Sequence, residues 1–380
     1  MKNILVDLLA CQPVAGSKFH GGGEFIKTVF KELCSYQDRC NLIVYYNHDI
    51  FLDDWIKRLI KENSMKEYDV KSYKEIDVPK LFDGVDIYFA GLFGSLRTVD
   101  VPDGVKVIGV YHGLRSQELP IIKDACIYHD DIKGYAKEKI KWLFRKSYSR
   151  RKCLEMDHLL KKCDYCVGDS IHSKYSLKCF YPYITDNRIK IYYAPAKYVD
   201  NDLKSVDIKN KYILMLGGNR WTKNVYGGMK ALDVLYDNKQ LDELRTVIIG
   251  KVSERIKKRI HNLDKFIFLD YVEAGELEYL YQNCEFFFYP TLNEGFGYPP
   301  LEAMHYDKTC VISAVTSLPE IYGDSVYYCN PNDTMEMAMR ILQASETKID
   351  KKVIQSKYIE IQNKQKTDLA DLCQLIVNGG

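Results

Sequence analysis

Residues 285–304 read Glu285-Phe286-Phe287-Phe288-Tyr289-Pro290-Thr291-Leu292-Asn293-Glu294-Gly295-Phe296-Gly297-Tyr298-Pro299-Pro300-Leu301-Glu302-Ala303-Met304. The aromatic run at the front has the length and composition of a buried strand. A glycine-containing loop follows it. Pro299-Pro300 then mark a helix start, because proline at a first helical position loses no needed hydrogen bond. Two carboxylates, Glu294 and Glu302, stand with seven residues between them. On this reading Glu302 falls in the first helical turn, where the helix dipole favours an ionised carboxylate. Such a group accepts hydrogen bonds from both hydroxyls of a vicinal diol such as a ribose. Glu294 lies beside Gly295, Phe296 and Gly297, where bare backbone can approach a sugar. Taken alone, Glu302 is equally a favourable helix-start charge. Together the parts suit a polyhydroxylated, phosphate-bearing ligand.

Outward from this stretch, strand and helix alternate. Apolar runs at Tyr212–Leu216, Thr246–Ile249, Phe266–Leu269, Cys310–Ser313 and Val326–Tyr328 predict further strands around it. An earlier series covers Ile4–Leu9, Leu42–Tyr46, Ile87–Ala90, Val105–Tyr111, Tyr165–Gly168 and Ile189–Tyr193, with a helix over Glu24–Tyr36. This is the pattern of α/β, doubly wound parallel sheets. Residues 194–210 break it and read as a linker. The expected organisation is a domain over 1–197, a second over 198–350, and a terminal helix over 351–380 that can pack back on the first domain. Ligands of such sheets bind at the carboxyl ends of the strands.

Bulk properties exclude several classes. A chain of 380 residues is long for one core. A net charge of +2 gives no nucleic-acid-binding surface as a whole. No apolar run reaches the length of a membrane span. The start, Met1-Lys2-Asn3-Ile4-Leu5-Val6-Asp7, reads as a first strand and not as a signal peptide. Twelve cysteines without such a peptide suggest thiols in a reducing, cytoplasmic setting. Cys163 and Cys166 have C-x-x-C spacing, but no second pair matches it, and core packing is the simpler reading. The thirty tyrosines have no functional reading as a group.

Four further constellations carry chemistry. Gly21-Gly22-Gly23 precedes the helix expected near Glu24, at a place where phosphate or sugar oxygens often meet backbone amides. A flexible turn explains the same glycines, and the dinucleotide fingerprint is not matched. In Leu216-Gly217-Gly218-Asn219-Arg220-Trp221-Thr222-Lys223-Asn224 a strand ends, two glycines turn the chain, and Arg220 and Lys223 stand at the mouth of the next helix. Two fixed cations there suit a diphosphate. A solvated basic loop is the alternative. His112, followed by Gly113 just past a strand end, is a candidate for hydrogen bonding a reacting sugar. Lys133–Lys152 carries nine Lys/Arg against one acid, Glu138, with Trp142, Phe144 and Tyr148 interleaved. That suits an interfacial helix on anionic lipid and, equally, a solvated helix face. The triplet Asp200-Asn201-Asp202 falls in the linker, and no metal-ligand set is read.

In this order these residues resemble the retaining glycosyltransferases of family 4, which have the GT-B fold, with two Rossmann-like domains facing a cleft. The resemblance runs over most of the chain. It is most specific over Phe268–Pro331, where Glu294–Met304 and Ser317-Leu318-Pro319-Glu320 recur at family spacing. Ile213–Asn224 matches the donor-phosphate segment, and His112–Arg115 and Val167–Ser170 resemble cleft-lining motifs. The resemblance implies a nucleoside-diphosphate sugar as co-substrate, no metal cofactor, and a glycan or lipid-linked glycan acceptor in cell-surface polysaccharide assembly. Arg220 and Lys223 would hold the diphosphate, Glu302 the ribose, and Glu294 with Gly295, Phe296 and Gly297 the sugar. Gly22, Gly23 and His112 would lie near the reacting carbon. It further implies a cytoplasmic protein, peripheral at the inner membrane face if Lys133–Lys152 binds lipid. Asp307 and Thr309 depart from the Gly and Pro usual there, and Gly168-Asp169-Ser170 replaces the usual strand-to-serine junction. A sugar-nucleotide epimerase and a non-catalytic binder on the same fold are the alternatives.

Overall fold

A computed structural model of the chain describes residues 1–13, 21–196 and 203–380. It divides into two compact units. Unit 1 comprises Met1–Leu114, Arg151–Val199 and Gln362–Gly380; unit 2 comprises Arg115–Arg150 and Asp200–Ile361.

Unit 1 holds a seven-stranded parallel sheet. Its strands are β1 (Lys2–Asp7), β2 (Cys40–Tyr46), β3 (Lys66–Asp69), β4 (Ile87–Ala90), β5 (Lys106–Tyr111), β6 (Tyr165–Gly168) and β7 (Ile189–Ile191). Their order is β3-β2-β1-β4-β5-β6-β7, so the order turns back between β1 and β4. β3 is an addition to the sequence reading. Its residues, Lys-Glu-Tyr-Asp, are mostly exposed at the sheet edge and carry no apolar run. The stretch Leu9–Cys11 is a short 3-10 turn and not the end of β1. The glycine triplet is also placed differently. Gly21, Gly22 and Gly23 form the first turn of the helix Gly21–Leu33, not a loop before it. The end of the terminal helix Lys351–Asn378 belongs to this unit. There Asp368 accepts from the Tyr193 amide at 2.7 Å, and Gln365 donates to the Ala194 carbonyl at 2.6 Å. Cys163 and Cys166 are buried in this unit's core.

Unit 2 holds a six-stranded parallel sheet of β8 (Lys211–Leu216), β9 (Leu244–Ile249), β10 (Phe266–Leu269), β11 (Phe286–Tyr289), β12 (Cys310–Ser313) and β13 (Tyr327–Cys329). The order is β10-β9-β8-β11-β12-β13. β11 and β12 are buried throughout, as strands covered on both faces must be. The segment Arg115–Arg150 packs here although it lies in the first half of the sequence. Cys126, Ile127 and Tyr128 enter this unit's core, and the Tyr128 hydroxyl accepts from the Tyr226 amide at 3.0 Å. The Ile127 carbonyl accepts from Ser253, and Asp130 accepts from the Glu254 amide.

Lys133–Lys152 is not one helix. Helices Ile132–Leu143 and Arg145–Lys161 meet at Phe144, whose φ of −102° and ψ of 26° leave helical geometry. No helix among the described residues is long and apolar enough to cross a membrane. Asp200-Asn201-Asp202 and residues 14–20 lie outside the described residues.

Candidate functional site

β8 and β11 are neighbours where the strand order of unit 2 turns back. In open parallel sheets that point leaves a crevice at the carboxyl ends. The loop after β8 carries Arg220 and Lys223, and the loop after β11 carries Glu294. The Thr222 carbonyl ties the two together. It accepts from the Leu292 amide at 2.8 Å and from the Thr291 hydroxyl at 3.1 Å.

The turn Gly217-Gly218 is required by packing. A Cβ on Gly218 would lie 2.1 Å from the Gly250 carbonyl oxygen, and Gly217 has φ of 88°. The chain can then fold back so that the 3-10 turn Trp221–Lys223 points its lysine inward.

Lys223 and Glu294 form a buried ion pair, their side chains 10% and 12% exposed. Glu294 Oε1 also accepts from Tyr289 at 2.8 Å and from Thr291 at 2.7 Å, and Lys223 donates to the Tyr289 hydroxyl. Burial opposes ionisation of Glu294. The Lys223 charge and the three side-chain hydrogen bonds outweigh it and hold the carboxyl below its ordinary range. Burial pulls the Lys223 ammonium down. Glu294 opposes this, and the nearby charges of Arg220 and Arg115 add to it. Lys223 is thus paired with one carboxylate while two further cations, Arg220 and Arg115, act on it, an arrangement with room for more negative charge.

The loop Glu294–Gly297 is braced by the segment that follows β12. The Glu294 amide donates to Thr316 Oγ1 at 3.0 Å. Ser317 donates to the carbonyls of Glu294 and Phe296, and the Tyr322 hydroxyl donates to that of Gly297. This gives Ser317 and its neighbours a physical reason for their spacing. Gly297 has φ of 95° and caps the helix Tyr298–His305. Glu302 therefore lies in the second turn, not the first. The helix begins at Tyr298 because a left-handed glycine stops the loop there, and Pro299 is tolerated one place further in. The dipole acts mainly in the first turn, so it holds Glu302 less than expected. Tyr281 instead donates to Glu302 Oε2 at 2.8 Å.

In unit 1, His112 follows β5 and is bonded on both sides. Its Nε2 is 3.2 Å from the Gly91 carbonyl, past β4, and its Nδ1 is 3.2 Å from Asp169, past β6. A neutral imidazole carries one N–H, so only the doubly protonated ring donates to both. Asp169 is buried, and the edge of Phe25 meets the ring at 5.0 Å. Gly22 stands close to Leu92, with 2.6 Å from an added Cβ to Leu92 Cδ2.

The structure thus joins Lys223, Glu294 and Arg220 at one switch point, and places Glu302 on the helix beyond. Sequence reading missed the hydroxyls of Tyr289, Thr291 and Tyr281, the Asp169 partner of His112, and Arg115. Tyr289 and Thr291 were findable, since a strand-end tyrosine and a threonine three residues before Glu294 flank the acid.

Residues 200–361 match the family model for Glycosyl transferases group 1. The full chain superposes on sucrose-phosphate synthase from Thermosynechococcus elongatus with a TM-score of 0.69 at 11% identity, covering 99% of this chain and 98% of that one. It also superposes on Anabaena Alr3699/HepE in complex with UDP, with a TM-score of 0.63 at 12% identity and full coverage of both chains. The fold is GT-B. In sequence the chain is 26% identical over 225 residues to the O-antigen chain mannosyltransferase RfbU of Salmonella typhimurium, covering 57% of this chain. The alignment spans 59% of that relative's own length.

Proposed function

We propose that the protein is a retaining glycosyltransferase of family 4. It moves a sugar from a nucleoside-diphosphate sugar to a glycan or lipid-linked glycan in cell-surface polysaccharide assembly. The observation that carries this reading is the buried Lys223–Glu294 pair, set beside Arg220 and Arg115 at the switch point of a parallel sheet. A leaving nucleoside diphosphate develops negative charge. Fixed cations in a site shielded from water stabilise that charge without reorganising, which does not require a metal. Arg220 and Lys223 hold the diphosphate, Glu302 the ribose, and Glu294 with the backbone of Gly295, Phe296 and Gly297 the sugar. Gly22, Gly23 and His112 serve the reacting carbon and the acceptor. The UDP bound by Alr3699/HepE supports a nucleotide-sugar donor, and the name of RfbU supports a mannosyl group and an O-antigen-type acceptor.

Lys133–Lys152 supports a peripheral place on the cytoplasmic membrane face. Ile140, Leu143 and Phe144 are exposed there among Lys137, Lys139 and Lys146. Apolar side chains that enter the headgroup layer beside lysines suit an anionic surface.

A thermal-shift screen over nucleoside diphosphates and their sugars tests the donor reading, since a ligand of the native state raises the melting temperature. Incubation of the best donor without acceptor then separates the chemistries. Slow hydrolysis with retained anomeric configuration is expected. An isomerised sugar nucleotide means an epimerase, and a strict need for added divalent metal removes the metal-free account.

A further inference from the structure

Unit 2 contains a cavity of about 280 Å³ that takes in the Arg220 loop. Its charged lining is Arg115, Glu138, Lys141, Arg145 and Arg220. Glu138 is buried and already paired with Lys141 at 2.6 Å. Three guanidinium groups remain, and among the described residues none has a carboxylate within ion-pair distance. Arg145 is held by its own helix region, stacked over Trp142 at 5.6 Å and donating to the Trp142 carbonyl. Ser116, Tyr148 and Ser149 add hydroxyl-bearing side chains, and Leu119, Pro120, Ile121 and Trp221 form an apolar part of the wall.

None of these residues comes from the Tyr289–Met304 stretch, and neither Lys223 nor Glu302 lines the cavity. It shares Arg220 with the residues assigned to the donor diphosphate, and Arg115 also acts on Lys223, so Arg145 and the Glu138–Lys141 pair are the charged groups that belong to the cavity alone. Its volume is at the small end for ligand pockets, which run from roughly 300 Å³ upward. A whole nucleotide sugar does not suit that space, whereas a phosphate or diphosphate head does. Guanidinium forks match phosphate oxygens two at a time. Three of them exceed what one carboxylate needs.

We propose that this cavity is a second phosphate site, which takes the phosphate or diphosphate of the acceptor while the Lys223–Glu294 site takes the donor. The name "acceptor" rests on the transferase reading; the anion site itself does not. The phosphate belongs either to a soluble phosphate ester or to a lipid-linked diphosphate. The helix Ile132–Leu143, which supplies Glu138 and Lys141 to the cavity, also exposes Ile140 and Leu143.

The test uses the full chain and titration calorimetry with UDP and GDP, and with inorganic pyrophosphate added to protein already saturated with UDP. Arg145→Gln removes one fork at an exposed position and spares the Glu138–Lys141 pair. It is expected to weaken pyrophosphate binding about tenfold, the usual scale of one charge-assisted hydrogen-bonded contact, and to leave nucleotide affinity unchanged. Glu302→Ala is expected to do the reverse. Unchanged pyrophosphate affinity in Arg145→Gln overturns the site, and a parallel fall in nucleotide affinity makes the cavity part of the donor site instead. If Glu302→Ala leaves nucleotide binding intact while Arg145→Gln still loses pyrophosphate, the donor reading fails and the cavity stands. Phosphatidylcholine vesicles with and without polyprenyl diphosphate separate the sources. Retention only by the loaded vesicles, lost in Arg145→Gln, assigns the lipid-linked form; equal retention by both, with pyrophosphate binding intact, assigns the soluble one.

Discussion

Replacing Lys223 by Met keeps an unbranched apolar stem and deletes one charge. Glu294 is then a buried carboxylate, about one-eighth exposed, without its counter-ion. Breaking a buried pair in this way costs about 3–5 kcal/mol. Tyr289 and Thr291 still donate to Oε1, at 2.8 and 2.7 Å, so the lower end, about 3 kcal/mol, is expected. The pH dependence carries the sign. In the parent the Glu294 carboxyl is held below its ordinary range, so its contribution is present above the unfolded pKa of about 4.3 and is lost as pH falls. Without Lys223, burial dominates and the folded pKa rises above the unfolded one. The variant's stability is then greatest in acid and falls as pH rises. The penalty is therefore smallest in acid and grows as pH rises, first below about 4.3 as the parent gains its pair and then further as the variant's carboxyl is forced to ionise. Urea unfolding followed by tryptophan fluorescence reads it, with Trp221 two residues away. The double variant Lys223→Met with Glu294→Gln should recover most of the loss, because a neutral amide needs no counter-ion. A penalty that is flat with pH, or a double variant as unstable as the sum of the singles, refutes the reasoning.

Other outcomes follow from separate features. Gly297→Ala forces a side chain into left-handed backbone, at about 1–2 kcal/mol, and puts a Cβ 2.5 Å from Leu318 Cδ2; adding Leu318→Ala should relieve only the contact, as thermal melts of both variants will show. Burial pushes the Asp7 carboxyl up to about 6, against hydrogen bonds from Tyr73 and the Ala10 amide. Folded protein then holds a proton that unfolded chain has lost, so stability should fall by about 3 kcal/mol as pH rises from about 4 to about 6. Asp7→Asn should flatten that slope in unit 1 melts. Ile140→Asp with Phe144→Asp should abolish co-sedimentation with anionic phosphatidylglycerol vesicles; undiminished sedimentation assigns that helix region to solvent.

Strands covered on both faces must be apolar along their whole length, and that made them legible in the sequence. Phe286–Tyr289 and Cys310–Ser313 were read to the residue. Lys66–Asp69 was not, because an edge strand pairs on one side and keeps its charges in water. The starts of two helices moved by small amounts with larger consequences. Glycines Gly21–Gly23 joined a helix that their propensity argued against, and Gly297 set a start one residue before the prolines. The ion pair itself was out of reach. Lys223 and Glu294 are 71 residues apart, and nothing in either loop specifies which strand ends become neighbours. Two cations and two acids were visible as types, whereas their wiring through Tyr289, Thr291 and Tyr281 depends on packing.

The membership of Arg115–Arg150 in unit 2 bears on how this protein can be taken apart. A fragment cut to the matched span 200–361 would lack Cys126, Ile127 and Tyr128 from its own interior. It would also lose the Ile127 and Asp130 acceptors that Ser253 and Glu254 use. A chimera that exchanged first halves with a relative would import foreign side chains into that interior, together with a foreign Arg115 and Arg145. Any preference measured on such a hybrid would then travel with a piece of the unit 2 core, and single-junction swaps would misassign it.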